Sequence, residues 1–571
     1  MRTGIRMPSS PSSPGLRPDI AEVYAGNGQA TDVADVDAGD GQASANPLAA
    51  PKLELDCATA VGLAPARSRA RMLRDAWAAT SSKSMGENLD EWFKLRSQRS
   101  TAGREVLAGC VNYLVTVYIV HANPYYQTGL AFGFDTGQPA GPLATATAVA
   151  TGASTLVMGV VANAPLVVAP AMATNGYFAL KTNSWMTWRS QLSLSLLSSL
   201  GYVALVAFLA KRGSLARLIR ALPVSYLVGV GFGLLMFLAH LGLLDESGMG
   251  VVGCGGAEAS PTLSSSKRPD LILAALVLVA VVVGDVRRPD KKHVVVLAAT
   301  VCGALAAAVA RAAAGDAVFE SKDRHGGVRL YGMRFPGTWT GAQWAAALWT
   351  ALGYVTGKIF DILASVFLVV FVLLGFHEAP KRTGAGAVDA LGPEKFRDYV
   401  ASTPKLQKII LVDGAAWAFG SLLGCAPMTC FVESAVGIAA GAAPARGRTG
   451  LASVVTGLLF LASAASGRET VEIVPTEVSG ALLVYTAASL SPILRHVDHA
   501  NREEALPAML GVLLIPLLYS VHGGAGLAFV FYGILVVAGG TFTWAEHHTL
   551  IPLFVAALLL VAEIFSMDFA R

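Results

Sequence analysis

The chain has 571 residues, 54% of them hydrophobic and only 14% charged, and its mean hydropathy is +0.54. A soluble globular domain carries about 25% charged residues, so this composition excludes an ordinary water-soluble core. The net charge of +4 says little about partners, but the lack of a basic aromatic-interleaved patch and six cysteines without a CxxC pair exclude nucleic-acid binding, a disulfide scaffold and a zinc ribbon as themes.

Residues 1–100 are rich in Ser, Pro, Gly, Asp and Ala and read as a disordered cytoplasmic tail without the apolar core of a signal peptide. Within it, 66–78 could form a short amphipathic helix, and 86–98 (GENLDEWFKLRSQ) could lie on the membrane surface or stay solvated. From Glu105 onward, apolar runs follow one another at about the 20-residue length that a bilayer core requires. The predicted spans are 105–122, 141–162, 164–180, 190–210, 222–243, 269–286 and 293–314. After a polar extracellular loop at 315–345 come 346–374, 405–424, 425–442, 450–467, 474–494, 505–540 and 548–568. This is an all-α polytopic membrane protein of about 14 spans in two repeats of seven, 103–314 and 346–568. Pro507, Pro516 and the run His522-Gly523-Gly524 predict a break near 522 in the long element 505–540.

Charge placement predicts the orientation. With the tail inside, inward loops carry Lys211, Arg212, Arg217 and Arg220, then Arg287, Arg288, Lys291 and Lys292, then Arg446 and Arg448, then Arg495 and Arg502. The outward loop at 181–189 has only Lys181 and Arg189. Both termini are therefore expected in the cytoplasm, with the plasma membrane as the expected location.

Two spans are short and interrupted. NAPLVVAPAMATNGYFAL (163–180) holds Pro165 and Pro170; GCAPMTCFVESAVGIAAG (424–441) holds Pro427 and Glu433. Each is the third span of its half, and paired interrupted spans at corresponding positions point to an inverted-repeat transporter. Irregular backbone at membrane depth survives where protein or a cavity satisfies it, so the two segments are expected to meet as half-length strand–helix elements at the midplane.

Ionisable groups inside apolar spans are functional candidates. Glu433 follows the break in the tenth span; its carboxylate could accept two N–H groups from a heterocycle edge and carry a proton. Lys358 and Asp361 share one helix face at i, i+3. They form either a local ion pair or a polar cluster in which Lys358 also reaches Glu433. Asp413 reads as a helix-end acid. Asn175 offers a donor and an acceptor to a nucleobase edge, or caps the helix after the break. His121 and His240 read as packed polar residues. No Walker loop, GxSxG or HExxH is present, so neither an enzyme nor an ATP motor is expected, no cofactor or metal is implied, and uphill transport would use an ion gradient.

Several collinear segments carry a family resemblance. REVLAGCVNYLVTVYIVHANP (104–124), NAPLVVAPAMATNGYF (163–178), LPVSYLVGVGFGLLMFLAHLGL (222–243), GCAPMTCFVESAVGI (424–438), RGRTGLASVVTGLLFL (447–462) and EALPAMLGVLLIPLLYSVHGG (504–524) resemble, in order and spacing, segments of the AzgA-like purine permeases, which carry hypoxanthine, guanine and adenine. The resemblance implies the uracil-permease fold of two inverted repeats with core and gate domains, and a homodimer by analogy. It implies proton-driven nucleobase uptake at a site between spans 3, 8 and 10. The family's binding Asn falls on Asn175, its span-10 Glu on Glu433 and its second span-8 acid on Asp361. Its first span-8 acid is replaced by Lys358, and Ala171 and Ala173 stand where the family has Gly. The expected substrate-binding set is Asn175, Glu433, Asp361, Lys358, Ala173 and Thr429, with Glu433 and Asp361 coupling to protons. Lys358 opens two alternatives: an anionic or other altered substrate, or an uncoupled facilitator. The long tail adds a third, a non-transporting receptor or scaffold.

Overall fold

A computed structural model describes residues 85–568 apart from 99, 185, 245–248, 250, 254–261, 264–268, 289–291, 315–328, 333, 336–338, 376–391, 426, 440–447 and 467–473. The expected tail up to 84, the helix at 66–78 and most of the loop at 315–345 lie outside the described residues. Among the described residues, eight helices are long and apolar enough to cross a membrane by length and composition.

The segment 86–98, expected on a membrane surface or solvated, packs one side on the chain itself. Its helix α1 (Met85–Phe93) places Leu89 and Phe93 on one face, four residues apart. Phe93 and Leu95 bury against Leu451, while Trp92 on the other side is 65% exposed.

The first span is two helices, α2 (Ala102–Thr116) and α3 (Ile119–Gln127), with Tyr118 at the joint. Next comes α4 (Ala140–Ala162), ended by Asn163 at φ 47, a left-handed conformation that Asn tolerates better than most residues. The Asn163 side chain donates to Phe93 O at 3.1 Å and accepts from Gly450 N at 2.6 Å.

The chain then turns extended as strand β1 (Val168–Pro170) and re-enters helix as α5 (Met172–Ser184). Helices α6 (Trp188–Lys211) and α7 (Val224–Leu243) follow. The second half contributes α8 (Gly341–Gly375), α9 (Pro404–Leu423), strand β2 (Met428–Cys430), α10 (Ser434–Ala439) and α11 (Gly450–Ser466).

The long element at 505–540 divides into α12 (Arg502–Leu517) and α13 (Val521–Ala538). The break falls at 518–520, slightly before the glycine pair. Pro516 closes the first helix, Tyr519 takes φ 52, and the Ser520 hydroxyl accepts from Gly523 N at 3.0 Å as the cap of the second.

Glycines set the closest helix crossings. A Cβ on Gly152 would sit 2.9 Å from the Gly457 carbonyl oxygen, and one on Gly457 2.6 Å from that of Gly152. Two turns along, Gly159 and Gly450 meet reciprocally, so α4 and α11 touch backbone to backbone. Gly229 and Gly233 of α7 meet the Ala508 and Gly511 carbonyls of α12 in the same manner.

β1 and β2 pair antiparallel, with Val168 opposite Cys430, Ala169 opposite Thr429 and Pro170 opposite Met428. Ala171 N to Pro427 O (2.9 Å) and Phe431 N to Val167 O (2.8 Å) extend the ladder. Two strands leave two outer edges, which in lipid need partners. On β1, Val168 N donates to the Thr155 hydroxyl at 3.0 Å, and Pro170 has no N–H to satisfy. On β2, the edge is closed by Asp413 and Lys358.

Candidate functional site

A partly open cavity lies where the strands and the first turns after them meet α7 and α8. Ala171, Met172 and the run Thr429–Glu433 form one wall, and Leu234, Phe237, Leu238, Asp361 and Ser365 the other; Tyr118 and Val521 complete it. The Phe237 and Phe431 rings give it planar apolar surfaces.

Two acids face this space. Glu433 is the last residue before α10, 2% exposed, and its Oε1 accepts from the Tyr118 hydroxyl at 2.6 Å. Asp361 is held on α8, with Thr429 of β2 beside its carboxylate. Apart from each other, Asp361 Oδ2 and Thr429 Oγ1 have no hydrogen-bond partner. Buried polar groups ordinarily find partners, so this pair offers unused accepting and donating capacity to a ligand.

Lys358 lies one turn away from Asp361 and does not line the cavity. Its Nζ sits 2.7 Å from Asp413 Oδ2 and donates to Met428 O at 2.6 Å. The other oxygen of Asp413 accepts from Cys430 N at 2.8 Å. In an antiparallel strand, alternate residues turn their N–H and C=O groups to the same side; Met428 and Cys430 both turn theirs away from β1. The Lys358–Asp413 pair thus takes the place of a third strand. The ion pair expected with Asp361 or Glu433 forms with Asp413, because the acceptors that a Lys on this face can reach include the open strand edge. Asp413 is not a helix-end acid: α9 starts at Pro404, and Asp413 is fully buried near its middle.

Asn175 is fully buried in α5 and off the cavity lining. Its Nδ2 donates to Asn123 Oδ1 at 2.6 Å, and Asn123 Nδ2 to Thr147 Oγ1 at 2.6 Å, tying α5 through α3 to α4. Ala173 sits in the first turn of α5. The predicted set therefore divides: Glu433, Asp361 and Thr429 face the cavity, whereas Lys358 and Asn175 lie behind its walls. His121 and His240 are half-buried and off the lining.

Residues 103–507 match the profile of Xan_ur_permease, a permease family. The chain belongs to this family. Guanine/hypoxanthine permease PbuG of Bacillus subtilis is 27% identical over 460 residues, covering 80% of this chain and 95% of that one. Adenine permease AdeP of Escherichia coli is 26% identical over 488 residues, covering 84% and 96%. Among solved structures, the transmembrane domain of the cyanobacterium bicarbonate transporter BicA superposes with a TM-score of 0.45 at 14% identity, covering 74% of this chain and 96% of that one. The purine-permease kinship expected from the collinear segments holds, and the chain is a multi-pass membrane permease.

Sequence reasoning missed Tyr118 and the role of Asp413. For Tyr118 the only signal is a tyrosine inside the apolar first span. For Asp413 it is an acid in mid-helix within reach of an intramembrane lysine.

Proposed function

We propose that this permease carries purine nucleobases (adenine, guanine or hypoxanthine) across the membrane by alternating access, in symport with protons. The observation that carries the reading is the cavity: two carboxylates, Asp361 and Glu433, and two aromatic walls, with no cationic side chain on the described lining. A purine presents flat faces that stack on rings and edge N–H groups that carboxylates accept. The relatives' names, guanine/hypoxanthine and adenine permease, support the same substrate class. Glu433 and Asp361 take the proton in this scheme, and the Thr429 hydroxyl adds a contact to the base. Asn175 steadies the first turn of α5, where Ala173 brings backbone close to substrate. The anionic-substrate alternative loses support because the Lys358 ammonium is held by Asp413.

The scheme includes 14 spans as two inverted repeats of seven forming core and gate domains, both termini cytoplasmic in the plasma membrane, and a homodimer. The antiparallel pairing of one strand from each half supports the repeat. The test is uptake of radiolabelled adenine and hypoxanthine, at acid and at mildly alkaline pH, in cells lacking their own purine permeases. Acid-stimulated uptake that Glu433→Gln abolishes is the expected result. Uptake insensitive to pH would leave a facilitator, and no uptake by protein at the cell surface would overturn the substrate class.

A further inference from the structure

We propose that Lys358 is a built-in cation: its ammonium permanently fills a cation position between Asp413 and the Met428 carbonyl, so transport needs neither sodium nor a proton there. The inference deepens the transporter reading, and its uptake arm rests on it.

The position has the features of a cation site. A carboxylate oxygen at 2.7 Å and a main-chain carbonyl oxygen at 2.6 Å surround Nζ, the ligand types that hard cations take. A lysine ammonium is a compact charge with three donors and fits the same oxygens. Both side chains are almost wholly buried, at 3% and 0% exposure. The carboxylate is pinned from its other side by Cys430 N–H, so it cannot turn toward the cavity. A soluble ion here could leave during each transport cycle; the ammonium is tethered to α8 and cannot. Asp413 is thereby removed from the coupling chemistry, which stays with the two acids that face the cavity.

The titratable neighbours are few. Asp361 lies one turn along α8, and Cys430 is on β2. Tyr202 of α6 lies tilted against Trp417 of α9. His522 of α13 packs on Gly357, next to Lys358. Glu433 stands across the cavity. Tyr226 and His240 belong to α7, which also packs on α8. Helix α4 and strand β1 contain no titratable residue. The charges of helix Pro393–Ser402 precede the start of α9, about 13 Å of helix rise from Asp413.

Removing the ammonium leaves a buried carboxylate that must recruit a substitute. The test compares wild type, Lys358→Met and Lys358→Met/Asp413→Asn as purified proteins. Thermal midpoints are read in sodium against choline chloride at equal ionic strength, and across pH. A ligand that binds only the folded state raises the midpoint as its concentration rises. The expected result is a midpoint that shifts by several degrees with sodium, or with acid beyond the shift of wild type, in Lys358→Met alone; the double variant should match wild type. Nucleobase uptake, acid-stimulated in every form through Glu433 and Asp361, should gain a sodium requirement, or an acid requirement beyond that of wild type, in the single variant only. A wild-type sodium dependence that Asp413→Asn removes would overturn the proposal, as would a folded Lys358→Met protein whose responses to sodium and acid match those of wild type. Should Lys358→Met not fold, the double variant decides: unchanged sodium independence supports the built-in cation, and a new sodium requirement overturns it. If no form transports nucleobases, the transporter reading fails, while the thermal comparison still decides the cation.

Discussion

At the residue scale, Glu433 and its Tyr118 partner make separable contributions. Glu433→Gln deletes both the charge and the proton site, and uptake should fall to background. Tyr118→Phe removes one hydrogen bond to a carboxylate, an interaction of roughly 1.5–3 kcal/mol. It should weaken nucleobase binding on the order of tenfold without abolishing uptake, as read by a purine-displacement assay on purified protein. Glu433, Asp361 and Lys358 were legible in the sequence because a charge inside an apolar run stands out. Their partners were not. Helical spacing joins Lys358 to Asp361, but the pairing that forms crosses from α8 to α9 over a strand edge, and no local period encodes such a contact. Asn175 was legible as important for a similar reason, yet its amide nitrogen donates to Asn123, while its buried Oδ1 has no hydrogen-bond partner.

At the element scale, the paired prolines revealed both interrupted spans, since Pro170 and Pro427 forbid continuous helix there. What closes the strand edges came from elsewhere in the chain: Thr155 on α4 for Val168, and Asp413 on α9 for Cys430. Thr155→Val keeps the shape but leaves the Val168 N–H unpartnered at membrane depth. A loss of about 1–3 kcal/mol is expected, measurable as a lowered thermal midpoint in detergent. The glycine crossings predict a second effect. Gly457→Val drives a side chain into the Gly152 carbonyl, and overpacking of that kind costs about 1–3 kcal/mol or more; the folded yield by size-exclusion chromatography should drop, while Gly201→Val, where a Cβ meets nothing, should not change it. The break after α12 was foreseen at His522-Gly523-Gly524 and falls at 518–520, because Ser520 caps the next helix and draws the glycines into its first turn.

At the scale of the whole molecule, composition alone announced a chain organised by lipid. The composition of residues 1–100 did not mark residues 85–98 as a segment that packs on the chain. Phe93 and Leu95 contact Leu451, Arg448 Nη1 donates to Gln98 O, and Asn163 reaches Phe93 O. Deleting residues 1–84 should therefore leave nucleobase uptake near wild-type levels, whereas extending the deletion through residue 98 should lower the thermal midpoint and surface expression together. Uptake without residues 1–84 would also count against a receptor or scaffold built around the tail.

The two-strand junction also dictates an order of manufacture. β1 is made early and β2 only after most of the chain has followed, so until then the inner edge of β1 has no partner in hydrocarbon. The first half cannot be a finished unit on leaving the insertion machinery; it must wait, in protein or water, for its mate. Pairing of Val168–Pro170 with Met428–Cys430 is then a late step of assembly that closes the inner edges of both strands at once. A chain that fails it presents bare backbone to the membrane, the mark by which a quality-control system can recognise an unassembled permease.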